Sequence, residues 1–201
     1  MKKLTLCLSF ILFALCACDL KIISTINLSD LLSDTNKVIS SDLMVEVMTC
    51  DKDKVEKVIA EVNSKNISAK YNRCYKDGTD NYAIFSMPIM IIKNGSEAQN
   101  KGVVYLSVND NKVYVHSSER INSLLQSENG DVKIKLIAFD LVNDTDQNIK
   151  LKAQYVFVDE KPTVSKTINL EPYSKTNIQL SDVASRQLET PNATFQIMEF
   201  E

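Results

Sequence analysis

Apolar and polar residues alternate with a period of two along much of this chain. From Val38 to Thr49, Leu43, Val45 and Val47 alternate with Met44, Glu46 and Met48, the spacing of a strand with one buried face. Asp51-Lys52-Asp53 opens a different rhythm. Val55, Val58, Ile59 and Val62 recur at i, i+3, i+4 and i+7, which predicts an amphipathic helix running to Lys65. The acids at its start suit the positive end of the helix dipole. Ile67 to Tyr75 and Tyr82 to Ile92 return to strand patterns, joined by the turn signal Lys76-Asp77-Gly78-Thr79. Pro88 brings no N–H to a ladder, so the second of these strands needs a bulge or an edge there. Val103 to Val108 and Lys112 to His116 form a hairpin around Asn109-Asp110-Asn111. Ser117 or Ser118 then caps a short helix through Gln126. Nearer the N-terminus, Leu28 to Ser33 reads as a short helix with Ser29 as its cap.

Gly130 marks a change of style. Val132, Ile134, Leu136 and Ala138 alternate with Lys133, Lys135, Ile137 and Phe139. Strands follow over 149–158, 163–170, 176–180 and 193–200, with one helical turn from Ser181 to Ala184. The pattern predicts an α+β fold. A mostly antiparallel sheet with one or two helices occupies 37–128, and a small β-sandwich-like part occupies 129–201. The second part is small for a sandwich and is expected to share its core with the first.

The N-terminus follows another plan. Lys2 and Lys3 precede an apolar run from Leu4 to Leu15, the order of a secretory signal peptide. The run is too short for a spanning helix, which needs roughly 20 apolar residues. Leu15-Cys16-Ala17-Cys18 resembles a bacterial lipobox, which implies a signal peptide over 1–17 and acyl chains, palmitate among them, on Cys18. Asp19 resembles the inner-membrane retention signal of enteric lipoproteins. Residues 18–36 then form the anchor and a membrane-proximal segment, which lacks the Gly/Ser character of a flexible tether. The expected location is the periplasmic face of the inner membrane, or the outer membrane where the Asp19 rule does not apply.

Removing 1–17 changes the charge and the cysteine count. Lys2 and Lys3 leave, so the 23 basic groups of the 201-residue chain fall to 21 against 26 acidic ones, a formal charge of −5. There is no basic run to attract nucleic acid. Cys7 and Cys16 also leave, and Cys18 takes the lipid. Cys50 and Cys74 remain, an even number in an oxidising compartment, and are expected to form a disulfide.

Chemistry-bearing motifs are sparse. The sequence contains no phosphate-binding glycine loop, no H-E-x-x-H and no G-x-S-x-G. The single histidine, His116, would have to serve any triad, with Ser117 or Ser118 as nucleophile, and any metal site with Cys50 and Cys74. It is expected to be structural, with little cost on removal. Carboxylate pairs are Asp51 with Asp53, Asp140 with Asp144, and Glu160 with Glu171. Asp144, Asp146 and Asn148 alternate as in a calcium loop but lack its glycine and terminal glutamate. Tyr71, Tyr75 and Tyr82 surround the expected disulfide. No catalytic residue, metal or cofactor is assigned.

Leu28-Ser29-Asp30-Leu31-Leu32-Ser33, Cys50 before a helix, Cys74-Tyr75 before a strand, Phe85-Ser86-Met87-Pro88, Asn143-Asp144-Thr145 and Leu180-Ser181-Asp182-Val183-Ala184 occur in that order. The layout resembles the small inner-membrane lipoproteins carried on enterobacterial prophages, a domain family of unknown function. The resemblance covers most of the mature chain and implies a prophage or mobile-element origin. It brings no catalytic residues. The expected function is that of a non-enzymatic binding or structural protein of the cell envelope, held to membrane lipid by its anchor and contacting another envelope protein. The alternatives are a periplasmic enzyme with a carboxylate-only site and a small-ligand carrier.

Overall fold

The two-residue rhythm dominates the folded chain. The structure is a computed structural model and describes residues 19–93, 102–127 and 130–201; the expected signal segment 1–17 and Cys18 lie outside these. β1 (Asp19–Asn27) runs into α1 (Leu28–Leu32), followed by β2 (Lys37–Val47), α2 (Lys52–Ser64), β3 (Lys70–Asp77) and β4 (Asp80–Lys93). Then come β5 (Val104–Asn109), β6 (Lys112–Ser117), α3 (Arg120–Leu125) and a short ribbon of β7 (Gln126–Ser127) and β8 (Gly130–Asp131). The chain continues through β9 (Lys133–Val142), β10 (Ile149–Val158), β11 (Lys161–Leu170), β12 (Lys175–Leu180), α4 (Asp182–Gln187) and β13 (Thr194–Phe200).

Strands take 57% of the described residues and helices 18%, and nine of the described strands close into a barrel with two more outside it. The fold is therefore mostly β, and the expected α+β sheet followed by a sandwich is not what forms. Hydrogen-bonded neighbours run β10-β12-β9-β1-β2-β4-β5-β6-β13 and return to β10. β3 hangs on β4, and β11 on β10. The correction comes from pairings between residues far apart in the chain. β1, read as a membrane-proximal stretch, is a barrel strand antiparallel to β2 and parallel to β9. β13 pairs with β6. Strands from the two sides of Gly130 thus form two blocks of one wall, β1-β2-β4-β5-β6 and β13-β10-β12-β9, joined at β1–β9 and β6–β13, and among the described residues the C-terminal stretch has no second sheet of its own to pack against.

Closure depends on β10. β11 occupies one of its edges along nearly its full length. Leu151–Ala153 pair with β13, and Val156–Val158 pair with β12. A strand has two edges, so β12 and β13 share the other one. Tyr155 lies between the two segments with φ 53°, a left-handed kink where the strand passes from one partner to the next.

The barrel interior is filled. Along β4, Ala83, Phe85, Met87, Ile89 and Ile91 point inward at 0–1% exposure. Phe139 from β9 and Ile22 from β1 meet them in the same core. Barrels of this strand number are just wide enough for side chains to fill. Val62 of α2 and Leu124 of α3 cover the end where β1 begins, against Leu20 and Val45. Leu28 and Leu31 of α1 are buried at the other end.

Pro88 shows how the ladder tolerates a missing donor. It pairs with Ser40 of β2 on one side. On the other side β3 reaches only to Ser86 and β5 starts at Ile91, so the proline faces a gap between two neighbours. The Cys50–Cys74 disulfide, with Cα atoms 5.6 Å apart, ties the end of β2 to the outside strand β3 across α2. Its Cα separation is that of an ordinary bridge.

Candidate functional site

A bulge in β9 sets the site. Leu20 pairs with Ile134, but Lys21 pairs with Leu136, so Lys135 is an extra residue in the ladder. One inserted residue reverses which side chains face outward. Ile137, Phe139 and Leu141 therefore enter the core at 0% exposure, while Leu136, Ala138 and Asp140 take the outer face. The alternation expected from sequence placed Leu136 and Ala138 in phase with Ile134; the bulge breaks that phase.

These residues form part of a depression of about 500 Å³ on the outside of the barrel. Its floor is apolar: Ile23 of β1 lies directly opposite Ala138, with Leu136 beside it. Its wall is Asn177 and Gln179 of β12, opposite Asp140 and Ala138 respectively. Its rim is the Asp159–Glu160 turn between β10 and β11. Both turn residues have positive φ, 47° and 66°, as a two-residue hairpin of this twist requires. The turn is strapped to β12. Asp159 accepts from Thr176 Oγ1 at 3.0 Å and from the Asn177 backbone N–H at 2.9 Å, and its own N–H donates to the Asn177 carbonyl at 3.0 Å. Asn177 Nδ2 donates to Asp140 at 2.7 Å. Among the described residues three carboxylates therefore line one groove, with no lysine or arginine in its lining. Such a surface favours a cationic group on an aliphatic stem.

The other candidate residues are spread over the molecule. His116 lies on the outer face of β6, on the far side of the ring. Nε2 is 2.7 Å from Ser107 Oγ, Nδ1 is 2.8 Å from Thr194 Oγ1, and the ring stacks on Tyr105 at 4.6 Å. Burial pushes its pKa below the ordinary value. Ser117 and Ser118 do not reach it. Ser117 Oγ donates to the Thr190 carbonyl and Ser118 Oγ to that of Gly102; Ser118 also accepts from Arg120 N–H at the start of α3. The hydroxyls beside His116 are those of Ser107, a diagonal neighbour across the expected hairpin, and of Thr194 on β13, whose pairing with β6 has no local signal in the sequence.

Asp144 is engaged away from Asp140. It accepts from the Ser29 backbone N–H at 2.9 Å and from the Ser29 hydroxyl, filling the place of a helix cap. The N-cap residue of α1 is Asn27, without a side-chain bond, so Ser29 is not the cap it was expected to be. Burial works to raise the Asp144 carboxyl, but its hydrogen bonds outweigh this and hold it below the usual range. Asp51 and Asp53 lie at the exposed start of α2. Glu160 and Glu171 flank opposite ends of β11. Among the described residues no three His, Cys, Asp or Glu side chains converge on a metal-sized space, and Cys50 and Cys74 are bonded to each other, away from His116. The tyrosines separate: Tyr71 meets Phe85 edge-on at 5.7 Å, Tyr82 is buried beneath Lys21, and Tyr75 is about half exposed.

Cys18 lies outside the described residues. Asp19, next to it, is already in the sheet. It pairs with Lys133, its N–H donates to Glu46 at 3.3 Å, and its carboxylate meets Lys135 Nζ at 3.0 Å.

One family matches almost all of this folded unit, over residues 20–201. The chain belongs to the DUF7424 family. Its description is a domain of unknown function, and the match takes in the whole barrel ring, both outside strands and every residue lining the groove. No curated protein and no solved structure matches the DUF7424 chain.

Proposed function

We propose that this DUF7424 protein is a lipid-anchored envelope protein that acts by binding. In this reading acyl chains on Cys18 hold it at the periplasmic face of the inner membrane. The groove over β1, β9 and β12 receives a basic segment of another envelope polypeptide. If the protein is prophage-borne, as its resemblance implies, the role is modulation of the host envelope or exclusion of other phages.

The observation that carries the reading is the solid barrel interior. With the core packed, recognition falls to the outer face, where the groove offers an apolar floor and three carboxylates. The space between α2 and the barrel is about 40 Å³, far below the roughly 300–1,000 Å³ of ligand pockets, and this counts against a carrier cavity between sheet and helix. The outer face carries Lys21, Asp42, Glu46 and Asp140, which suits a barrel in water better than one in lipid. Among the described residues no helix is long and apolar enough to cross a membrane.

A second reading, a carboxylate-only enzyme, is favoured by Asp140 and Asp159 converging on Asn177. Titration of the purified mature protein with a lysine- and arginine-containing peptide, and with a neutral peptide of equal length, tests the first reading, and intact-mass analysis of the basic peptide after incubation tests the second. Binding predicts preference for the basic peptide and a loss of about two- to five-fold for each of Asp140→Asn and Glu160→Gln, as partly exposed charge pairs warrant. Equal, weak binding of both peptides would remove the groove from the account.

A further inference from the structure

We infer that the end of the barrel where β1 begins lies directly against the phospholipid surface, with the opposite end held away from it. The inference rests on Cys18 carrying the lipid. Consecutive Cα atoms are about 3.8 Å apart, so the acylated residue is one peptide bond from a residue fixed in a barrel ladder. Asp19 is fixed from three sides, by Lys133 in the sheet, by Glu46 at its N–H and by Lys135 at its carboxylate. A flexible tether would let the ends wander by roughly 5–6 Å times the square root of its length. Here there is no tether, and the anchor sets the orientation of the whole barrel.

The sheet register says what meets the bilayer. β9 starts beside Asp19 at Lys133, and β2 ends there, since Val45 pairs with Leu20. Met48, just past β2, is 68% exposed. α4 follows β12 at the same end, where Glu189 accepts from the Ile134 N–H at 2.9 Å, and its Val183 is 76% exposed. Two large apolar side chains thus stand out at the anchored end, beside the exposed lysine Lys133 and the charged outer face of α2 with Lys52, Asp53, Glu56 and Lys57. At the other end are the turn carrying Tyr173 and the Asp144 loop, as Lys175 pairs with Val142 at the end of β9. The groove then opens sideways, with Asp140 on the order of 20 Å above the lipid at about 3.3 Å per residue along β9. The mature chain is acidic, so apolar insertion and the acyl chains carry the contact and anionic lipid is not needed.

The test uses the full lipidated protein in phosphatidylcholine vesicles. Spin labels are placed at Lys133→Cys, Val183→Cys or Tyr173→Cys, and collision with a water-soluble nickel complex is measured. Hydrogen exchange on the unsubstituted protein, with and without vesicles, serves as a check free of new cysteines. The expected result is several-fold protection of the first two labels and of exchange around residues 46–58 and 180–190, with Tyr173 unchanged. Equal accessibility at all three labels, in protein whose Cys18 carries lipid by mass spectrometry, would overturn the orientation and leave the anchor standing. An unmodified Cys18 would overturn both.

Discussion

His116 is held at both ring nitrogens and stacked on Tyr105, so it does more than a lone strand-end histidine is expected to do. Two hydrogen bonds and a stacked ring predict that His116→Ala costs about 1–2 kcal/mol, not the small effect the sequence suggested. The sign with pH follows from the lowered pKa. The fold favours the neutral ring, so its contribution is complete above 6.5. The unfolded chain is protonated first as pH falls, and the contribution is lost as pH passes down through the lowered folded value. Denaturant midpoints from about pH 7.5 to about pH 5 should fall in the wild type and flatten in His116→Ala. Asp144, held low by Ser29, acts in a more acidic window, losing its contribution below its ordinary 3.8. A wild-type midpoint as flat as the variant's would contradict the assignment. The expected hairpin brought Tyr105 and Ser107 to the His116 strand without saying which of them met the ring, and Thr194, 78 residues away in sequence, was not legible at all.

Most elements were legible because each has its own rhythm. The stripe of α2, the strands β2, β4 and β10, the Ser118 cap and the helical turn begun at Ser181 all lie where pattern and turn chemistry put them. β9 shows the limit. Both phases from Val132 to Phe139 contain apolar residues, so alternation could not say which face turned inward, and the Lys135 bulge decided it through its partner β1. The groove residues Leu136 and Ala138 were missed for that reason. Among the described strands β3 has only β4 as a ladder neighbour, so the Cys50–Cys74 bridge is its main further restraint, beside the long Lys21–Asp77 ion pair. Replacing both cysteines by serine is predicted to cost about 3 kcal/mol on chain-entropy grounds. Amide exchange should rise first in β3 and α2 while the barrel stays protected. Uniform loss of protection across the ring would contradict a local role.

At the scale of the molecule, closure was not legible at all. It rests on parallel pairs, β1 with β9 and β4 with β5, and on β10 shared between β12 and β13. No local signal announces such pairs, so a string of well-placed strands was read as two layers instead of one ring. The same register joins Asp19 to the barrel and makes its two proposed roles separable. Its ion pair with Lys135 is partly exposed and worth at most about 1 kcal/mol. Asp19→Ser is therefore predicted to leave the melting temperature nearly unchanged while moving the protein to the outer membrane of an enteric host. Fractionation without a shift would remove the sorting role.

The most direct measurement of the whole account is photocrosslinking in intact cells from Gln179, in the groove, against Tyr114, on the opposite side of the ring. The account predicts a discrete crosslinked envelope polypeptide from Gln179 that fades with Asp140→Asn and Glu160→Gln and is absent from Tyr114. The same product from Tyr114, or no product from Gln179 in a folded and lipidated protein, would contradict it.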